Sequence, residues 1–273
     1  MGDAVDPKPP LDSLFQARLR YHVGGVGAPS GRHPGWRSWA TVDLGSGRGC
    51  AARGGPHRRD ALRDLGARLV RWRVGWRWYL VVVLGPAAFS MAVALLYALM
   101  GGSFAAATPP ALRGETPLVI LPLFLLVLFV TDGVGEELAW RGFALPRLLT
   151  HHNALVASLI LGVLWALWHL PLVWTEVAPL YQQPLWLLLL DMTAKSVIFT
   201  WIFLHTRGSV LVAALLHATT NLFVVSPVVA EVGALALVLL AALAKWVLVG
   251  VVIAVAGPGL AKGPRPEALP KAH

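Results

Sequence analysis

Six polar side chains that could carry out chemistry lie in three otherwise apolar segments of this sequence. They are Glu136, Glu137, Arg141, His169, His217 and Asn221. A carboxylate and a histidine can together hold and deprotonate a water molecule. A histidine and an asparagine can donate hydrogen bonds to the oxyanion of a tetrahedral intermediate. Histidine nitrogens and a carboxylate are also ordinary zinc ligands, so hydrolysis with or without a metal stays open at this point.

The first segment places its charges at the end of a long apolar run, Pro117–Val130. A carboxylate at the centre of a membrane helix costs roughly 2.5–3.5 kcal/mol, so a chain that keeps two there is expected to use them. The simpler interpretation is a cytoplasmic loop whose charges face water, which the nearby Gly133 and Gly135 favour. We favour the functional interpretation, because ionisable residues at this depth are usually functional.

Helical spacing predicts how these side chains are directed. Glu137 and Arg141 are one turn apart and can pair, whereas Glu136 points about 100° away, towards a different neighbour. His217 and Asn221 share one helix face. Taken singly, a histidine such as His169 is as often a packed core residue, and the His217–Asn221 pair could simply join helices. Their combination predicts one polar site between three helices.

The composition predicts a polytopic membrane protein with an all-α fold. The 273 residues are 56% hydrophobic and 14% charged, whereas a soluble domain carries about a quarter charged residues. We expect six transmembrane helices, each near the roughly 20 residues that a bilayer requires. They are Trp78–Met100, Pro117–Thr131, Asn153–Trp174, Leu185–His205, Ser209–Val225 and Gly233–Ala256, and the second is expected to continue as a helix through 136–141.

Charge patterning predicts the domain organisation and the orientation. Residues 1–60 are rich in Gly, Pro and Arg and are expected to be mostly disordered, and residues 61–77 form a basic amphipathic helix at the membrane interface. Residues 78–256 are the transmembrane domain, and 257–273 a disordered tail. Residues 1–77 hold 14 of the 23 lysines and arginines, and such segments stay cytoplasmic. We therefore expect both termini and the Glu136–Glu137 pair on the cytoplasmic side of the cell membrane, with the lipid bilayer and no nucleic acid as partner.

Three further charges lie within predicted transmembrane helices. Asp191 and Lys195 are one turn apart and can neutralise each other, so we expect a structural pair. Lys245 lies near the middle of the last helix, beside Trp246. Its partner is not predictable from the sequence.

The three segments together resemble the CPBP family of intramembrane proteases. The resemblance is carried by Glu136-Glu137-x-x-x-Arg141, then an aromatic residue four positions before His169, then His217-x-x-x-Asn221. That family includes CAAX prenyl endopeptidases and bacterial bacteriocin-processing or abortive-infection proteins. One departure is Trp165, where the second motif commonly has Phe, and we interpret it as a conservative exchange.

The resemblance implies a membrane-embedded endopeptidase and a role for each residue. Glu136 with His169 would activate the attacking water, Glu137 and Arg141 would hold the geometry, and His217 with Asn221 would stabilise the oxyanion. The family name implies a metalloprotease, for which the zinc ligands would be Glu136, His169 and His217; a metal-free mechanism is equally open. The substrate would be a peptide or a membrane-anchored protein, for which a prenylated CAAX protein and a bacteriocin-like peptide are both open.

The competing interpretation is a protein without peptidase activity. A membrane immunity factor, or a carrier that uses the same polar cluster as a proton relay, would keep ionisable groups at this depth. A carrier is expected to have repeated halves with broken helices, and no such repeat is evident in the sequence. A peptidase would gather Glu136, His169, His217 and Asn221 around one point, whereas a relay would string them along the membrane normal.

Overall fold

The computed structural model describes residues 56–114, 117, 119–175, 180, 182–224 and 234–261. Within these residues the protein is all-helical and contains no strand, as predicted. The described residues divide into two units between Gly66 and Ala67. The predicted disorder of residues 1–55 and 262–273 and the predicted orientation of both termini lie outside the described residues.

Helix α1 differs in extent from the predicted interfacial helix. It spans Pro56–Leu69, so residues 56–60 are helical rather than disordered and the helix stops well before Arg77. After Leu69 the backbone makes tight turns in which Trp72 N bonds Val70 O at 2.9 Å and Val74 N bonds Trp72 O at 2.8 Å. These short-range bonds compete with the helical pattern, and the next helix starts only at Trp76.

Four helices within the described residues are long and apolar enough to cross a membrane. They are α2 (Trp76–Leu99), α5 (Ala154–His169, extended by a 3₁₀ turn over Leu170–Trp174), α6 (Leu185–His205) and α8 (Ala234–Ala256). The protein is therefore a multi-pass membrane protein. The six spans predicted from the sequence are not confirmed, because α7 (Val210–Leu222) is shorter and the regular α-helical part of the predicted second span is only Ile120–Leu128.

The segment that carries the carboxylates is one continuous helical run, α4, over residues 120–148. This confirms that the helix continues through the Glu136–Arg141 stretch. The run is not a regular α-helix, because it widens into π-helix over Phe129–Val134 and again over Leu138–Ala144. Such π-helical turns are uncommon and occur frequently at functional sites. Glu136 and Glu137 lie in the short α-helical stretch between the two. The short helix α3 (Phe104–Ala107) precedes this run in the chain.

Glycines allow two close backbone contacts that fix the helices around α4. A methyl group at Gly133 would lie 2.5 Å from the backbone oxygen of Ala214 on α7, and one at Gly162 on α5 would lie 2.6 Å from Cα of Thr193 on α6. Small residues at these positions let helix backbones approach closely in membranes. Helix α7 starts at a cap in which the Ser209 hydroxyl accepts from Val212 N at 3.2 Å. As a result α4, α5, α6 and α7 surround one buried cluster that contains Trp165.

Candidate active site

The site is centred on Glu137, which is completely buried between α4 and α7. Its Oε1 accepts a hydrogen bond from Nη1 of Arg141 at 2.9 Å and another from Nδ1 of His217 at 2.9 Å. The predicted Glu137–Arg141 pair is thus present one turn along the helix. The bond to His217 was not predicted, and it joins the first and third sequence motifs directly.

The guanidinium of Arg141 is held between aromatic rings as well as by Glu137. Arg141 is fully buried, and its Cζ lies 4.6 Å from the ring centre of Trp165 and 4.7 Å from that of Phe199. Cations over aromatic faces gain up to about 2 kcal/mol when desolvated. These ring contacts offset part of the cost of burying Arg141. They also hold the Arg141 side chain in place beside Glu137.

Glu136 points to a different helix from Glu137, as the helical spacing predicted. Its Oε2 accepts a hydrogen bond from the indole Nε1 of Trp165 on α5 at 2.7 Å. A longer bond of 3.4 Å comes from Nε1 of Trp140 on the same helical run. The interpretation of Trp165 as a conservative exchange for Phe is therefore wrong, since Phe has no N–H to donate.

The ring of His169 packs edge to face against the same indole, with its centre 5.9 Å from that of Trp165. Its Nδ1 is 2.9 Å from the carbonyl oxygen of Trp165. A carbonyl only accepts, so Nδ1 carries the hydrogen and, in the neutral ring, Nε2 carries the lone pair. His169 can therefore accept a proton at Nε2, and it interacts electrostatically with Glu136.

Asn221 lies one turn beyond His217 and has a partner that sequence reasoning missed. Its Nδ2 donates to Oδ2 of Asp132 in the first π-helical segment at 2.9 Å, and Oδ1 of Asp132 accepts from the Thr131 hydroxyl at 2.8 Å. The signal in the sequence was a carboxylate one turn before Glu136 on the same run. It was overlooked because Asp132 belongs to none of the three motifs.

A second charged cluster consists of Asp191, Lys195 and Lys245. The predicted Asp191–Lys195 pair is present at 3.6 Å, and Lys245, whose partner could not be predicted, donates to Asp191 from α8. Nζ of Lys195 also lies 5.8 Å from the ring centre of Trp165. The cluster therefore links α6 with α8.

The arrangement does not form a metal-ligand set. Within the described ranges no group of three or more His, Cys, Asp or Glu side chains is placed to hold a metal ion. Of the candidate ligands, Glu136 accepts from two indoles, His217 uses one ring nitrogen for Glu137, and His169 uses one for a backbone carbonyl. The two histidine bonds leave Nε2 available to a metal, as in many zinc sites, so it is the spread of the candidate ligands that fits a metal-free site better than a zinc site.

Comparison with known proteins covers the part of the chain that carries this site. Residues 117–223 match the sequence profile described as Type II CAAX prenyl endopeptidase Rce1-like. This segment is similar to that family. The family resemblance seen in the three motifs is thereby confirmed over residues that include every candidate catalytic side chain.

A curated protein to which part of this chain is similar is CAAX prenyl protease 2 of Methanococcus maripaludis. It is 36% identical over 106 residues, which are 37% of this chain. The match spans 38% of the relative's length. The similarity to this relative therefore covers little more than a third of either chain.

Proposed function

We propose that this protein is a membrane-embedded endopeptidase of the CAAX-protease type. The observation that carries the proposal is the convergence of the three motifs on one indole. His169, His217 and Arg141 each pack against the ring of Trp165, and Glu136 accepts its N–H. A cluster around one ring supports a hydrolytic site rather than a relay strung across the membrane.

In the proposed reaction, water adds to the carbonyl carbon of a peptide bond. Glu136 takes the proton of the attacking water, assisted by the lone pair at Nε2 of His169. The carbonyl oxygen becomes an oxyanion, which His217 and Asn221 stabilise by donating hydrogen bonds. The carbon–nitrogen bond then breaks and the leaving amine receives the proton held by the base.

The hydrogen bond to Glu137 specifies the form of His217 that this mechanism uses. A carboxylate only accepts, so the Nδ1 of His217 donates to it. A neutral His217 then has a lone pair at Nε2 and cannot donate to an oxyanion. Stabilisation by His217 therefore requires the doubly protonated ring, which donates from Nδ1 to Glu137 and from Nε2 to the oxyanion.

The proposed substrate is a prenylated CAAX protein or peptide, cleaved near the cytoplasmic face. The name of the Methanococcus maripaludis relative supports this class, and the apolar helices around the site suit a substrate that arrives through the membrane. The mechanism itself uses no metal step, because the polar groups present supply a base and oxyanion donors. A bacteriocin-like or other membrane peptide is the competing substrate class.

The experiment is hydrolysis by the full-length protein in liposomes. The probes are a prenylated CAAX peptide with a fluorophore and quencher across the scissile bond, its unprenylated counterpart and an unrelated membrane peptide. We expect cleavage of the prenylated peptide, located by mass spectrometry, and a loss of about 10²–10⁴-fold in Glu136→Gln. Failure of the wild-type protein to cleave any of the three, or near-normal turnover by Glu136→Gln, would overturn the proposal.

A further inference from the structure

We infer that Trp165 is a positioning residue for the Glu136 carboxylate, acting through its indole N–H. The inference rests on the proposed function, since it assigns Glu136 as the base. Trp165 is a departure from the family that the motifs resemble, because the second motif commonly has Phe at this position. Phe would fill similar space but could not donate a hydrogen bond.

The bond between the two side chains is short and its donor is buried. Nε1 of Trp165 lies 2.7 Å from Oε2 of Glu136, and Trp165 is only 1% exposed. A buried indole N–H that has no acceptor destabilises the protein. Rotation of Glu136 away from the site would leave that N–H unpaired, so the bond restrains the carboxylate.

The indole itself is held from several sides, so it can transmit that restraint. Its ring meets Phe199 and His217 edge to face, each with centroids 5.5 Å apart. The guanidinium of Arg141 lies over the same ring at 4.6 Å. A donor fixed by packing places its acceptor more accurately than a donor on a flexible side chain.

Trp165 provides the shorter of the two indole contacts to Glu136. Trp140 donates to the same oxygen over 3.4 Å, near the limit at which a hydrogen bond contributes. The second oxygen of Glu136 is left for the attacking water. Three charged or titratable side chains are close enough to Glu136 to interact with its charge. They are Arg141 on α4, His169 on α5 and Lys195 on α6.

The kinetic test replaces the indole by a ring that lacks the donor. For Trp165→Phe in liposomes, acting on the prenylated CAAX peptide at one fixed pH, we expect kcat to fall about 10- to 100-fold, as for a small misplacement of a catalytic group. KM should change less than about 3-fold, because ground-state binding is not the step affected. The matched control is Trp168→Phe on the same helix, which is 55% exposed and should keep kcat within about 3-fold.

The second measurement does not depend on activity. Indole ¹⁵N–¹H NMR of the protein in detergent will contain signals from twelve tryptophans, and the signal missing in Trp165→Phe identifies the donor. We expect that signal to shift when Glu136 is changed to Ala, because the N–H loses its carboxylate acceptor. The shift reports the contact between Trp165 and Glu136, and the loss of kcat in Trp165→Phe reports what that contact does for the base.

The outcomes separate this inference from the proposed function. An unshifted indole signal in Glu136→Ala, unchanged kcat in folded Trp165→Phe, or a rise in KM alone would each overturn the positioning role. A wild-type protein that cleaves no peptide yet shows the indole shift would overturn the proposed function and leave the contact established. A shift together with a kcat loss confined to Trp165→Phe supports the inference.

Discussion

His217 on α7 donates from Nδ1 to Oε1 of Glu137 on α4, at 2.9 Å and inside the protein. The same oxygen also binds Nη1 of Arg141 at 2.9 Å. One carboxylate oxygen thus joins two motifs separated by about 80 positions in the chain. Glu137 is therefore expected to stabilise both the fold and the site. Glu136, by contrast, is the proposed base.

Replacing Glu137 by Gln should destabilise the protein strongly. The change removes the negative charge opposite Arg141, and both residues are 0% exposed. An uncompensated buried charge costs about 3–5 kcal/mol. We expect a clear fall in the unfolding midpoint in detergent, followed by circular dichroism, together with loss of hydrolysis.

Glu136→Gln is the matched control for that prediction. Its amide oxygen can still accept from Trp165, so the unfolding midpoint should stay close to that of the wild type while hydrolysis is lost. If both variants were equally stable, Glu137 would not have the structural role that its burial indicates.

Asn221→Ala should slow turnover by about two to three orders of magnitude, the usual effect of losing one oxyanion donor. KM should change little, because the contact strengthens mainly in the transition state. Asp132→Ala should have a smaller effect in the same direction, because the Asp132 carboxylate accepts from Nδ2 of Asn221 at 2.9 Å and fixes the amide. The measurement is kcat and KM for each variant on the prenylated CAAX peptide.

The double variant tests whether Asp132 acts through Asn221. If it does, adding Asp132→Ala to Asn221→Ala should cause little further loss, because coupled residues are not additive. Full multiplication of the two single effects would show that Asp132 acts independently.

The sequence predicted the elements that periodicity and spacing determine. Apolar runs located α2, α5, α6 and α8 to within a few residues, and the four-residue spacing predicted the Glu137–Arg141 pair. Spacing along one helix is local information, so these predictions needed no knowledge of packing.

Contacts between helices could not be predicted from spacing along a single helix. Lys245 reaches Asp191 from 54 positions away, and Asn221 reaches Asp132 from 89. Such pairs depend on which helices are neighbours and how they are rotated. The π-helical turns were also missed, because widening a helix by one residue leaves no sign in hydrophobic periodicity.

Gly133→Ala should destabilise the contact between α4 and α7. A methyl group there would lie 2.5 Å from the carbonyl oxygen of Ala214, so the backbone would have to shift. Overpacking of this kind costs about 1–3 kcal/mol. Thermal unfolding in detergent should show a lower midpoint, and kcat should fall because Asp132 and Asn221 would separate.

Gly135→Ala provides the control two positions away. A methyl group at Gly135 meets nothing within 4 Å, and Ala is a better helix former than Gly by about 1 kcal/mol. Its midpoint should be unchanged or raised. Equal destabilisation by both changes would argue against a specific contact at Gly133.

Lys245→Met should destabilise the protein more than Lys195→Met. Lys245 joins α8 to Asp191 on α6, whereas Lys195 pairs with Asp191 along its own helix at 3.6 Å. Either variant leaves Asp191 with one cation, so the two differ chiefly in the link between helices. We expect about 1–3 kcal/mol for the lost charged hydrogen bond of Lys245 and less than about 1 kcal/mol for the intrahelical pair. Equal unfolding midpoints would show that charge balance alone matters.

The final prediction concerns metal. Hydrolysis should survive prolonged chelation, and the purified protein should contain no stoichiometric metal by mass spectrometry. The reason is the donor set: Asn221 beside His217 is a poor zinc ligand, and no group of three or more His, Cys, Asp or Glu side chains within the described residues is placed to hold a metal ion. Glu136 accepts from the indole of Trp165 at 2.7 Å, which suits a carboxylate held for proton transfer. If chelation abolished hydrolysis and zinc restored it, the metal-free mechanism would be wrong, and Glu136, His169 and His217 would be the ligands to test. The Trp165 N–H signal would then shift on adding zinc, so the spectrum would report metal binding at Glu136 independently of turnover.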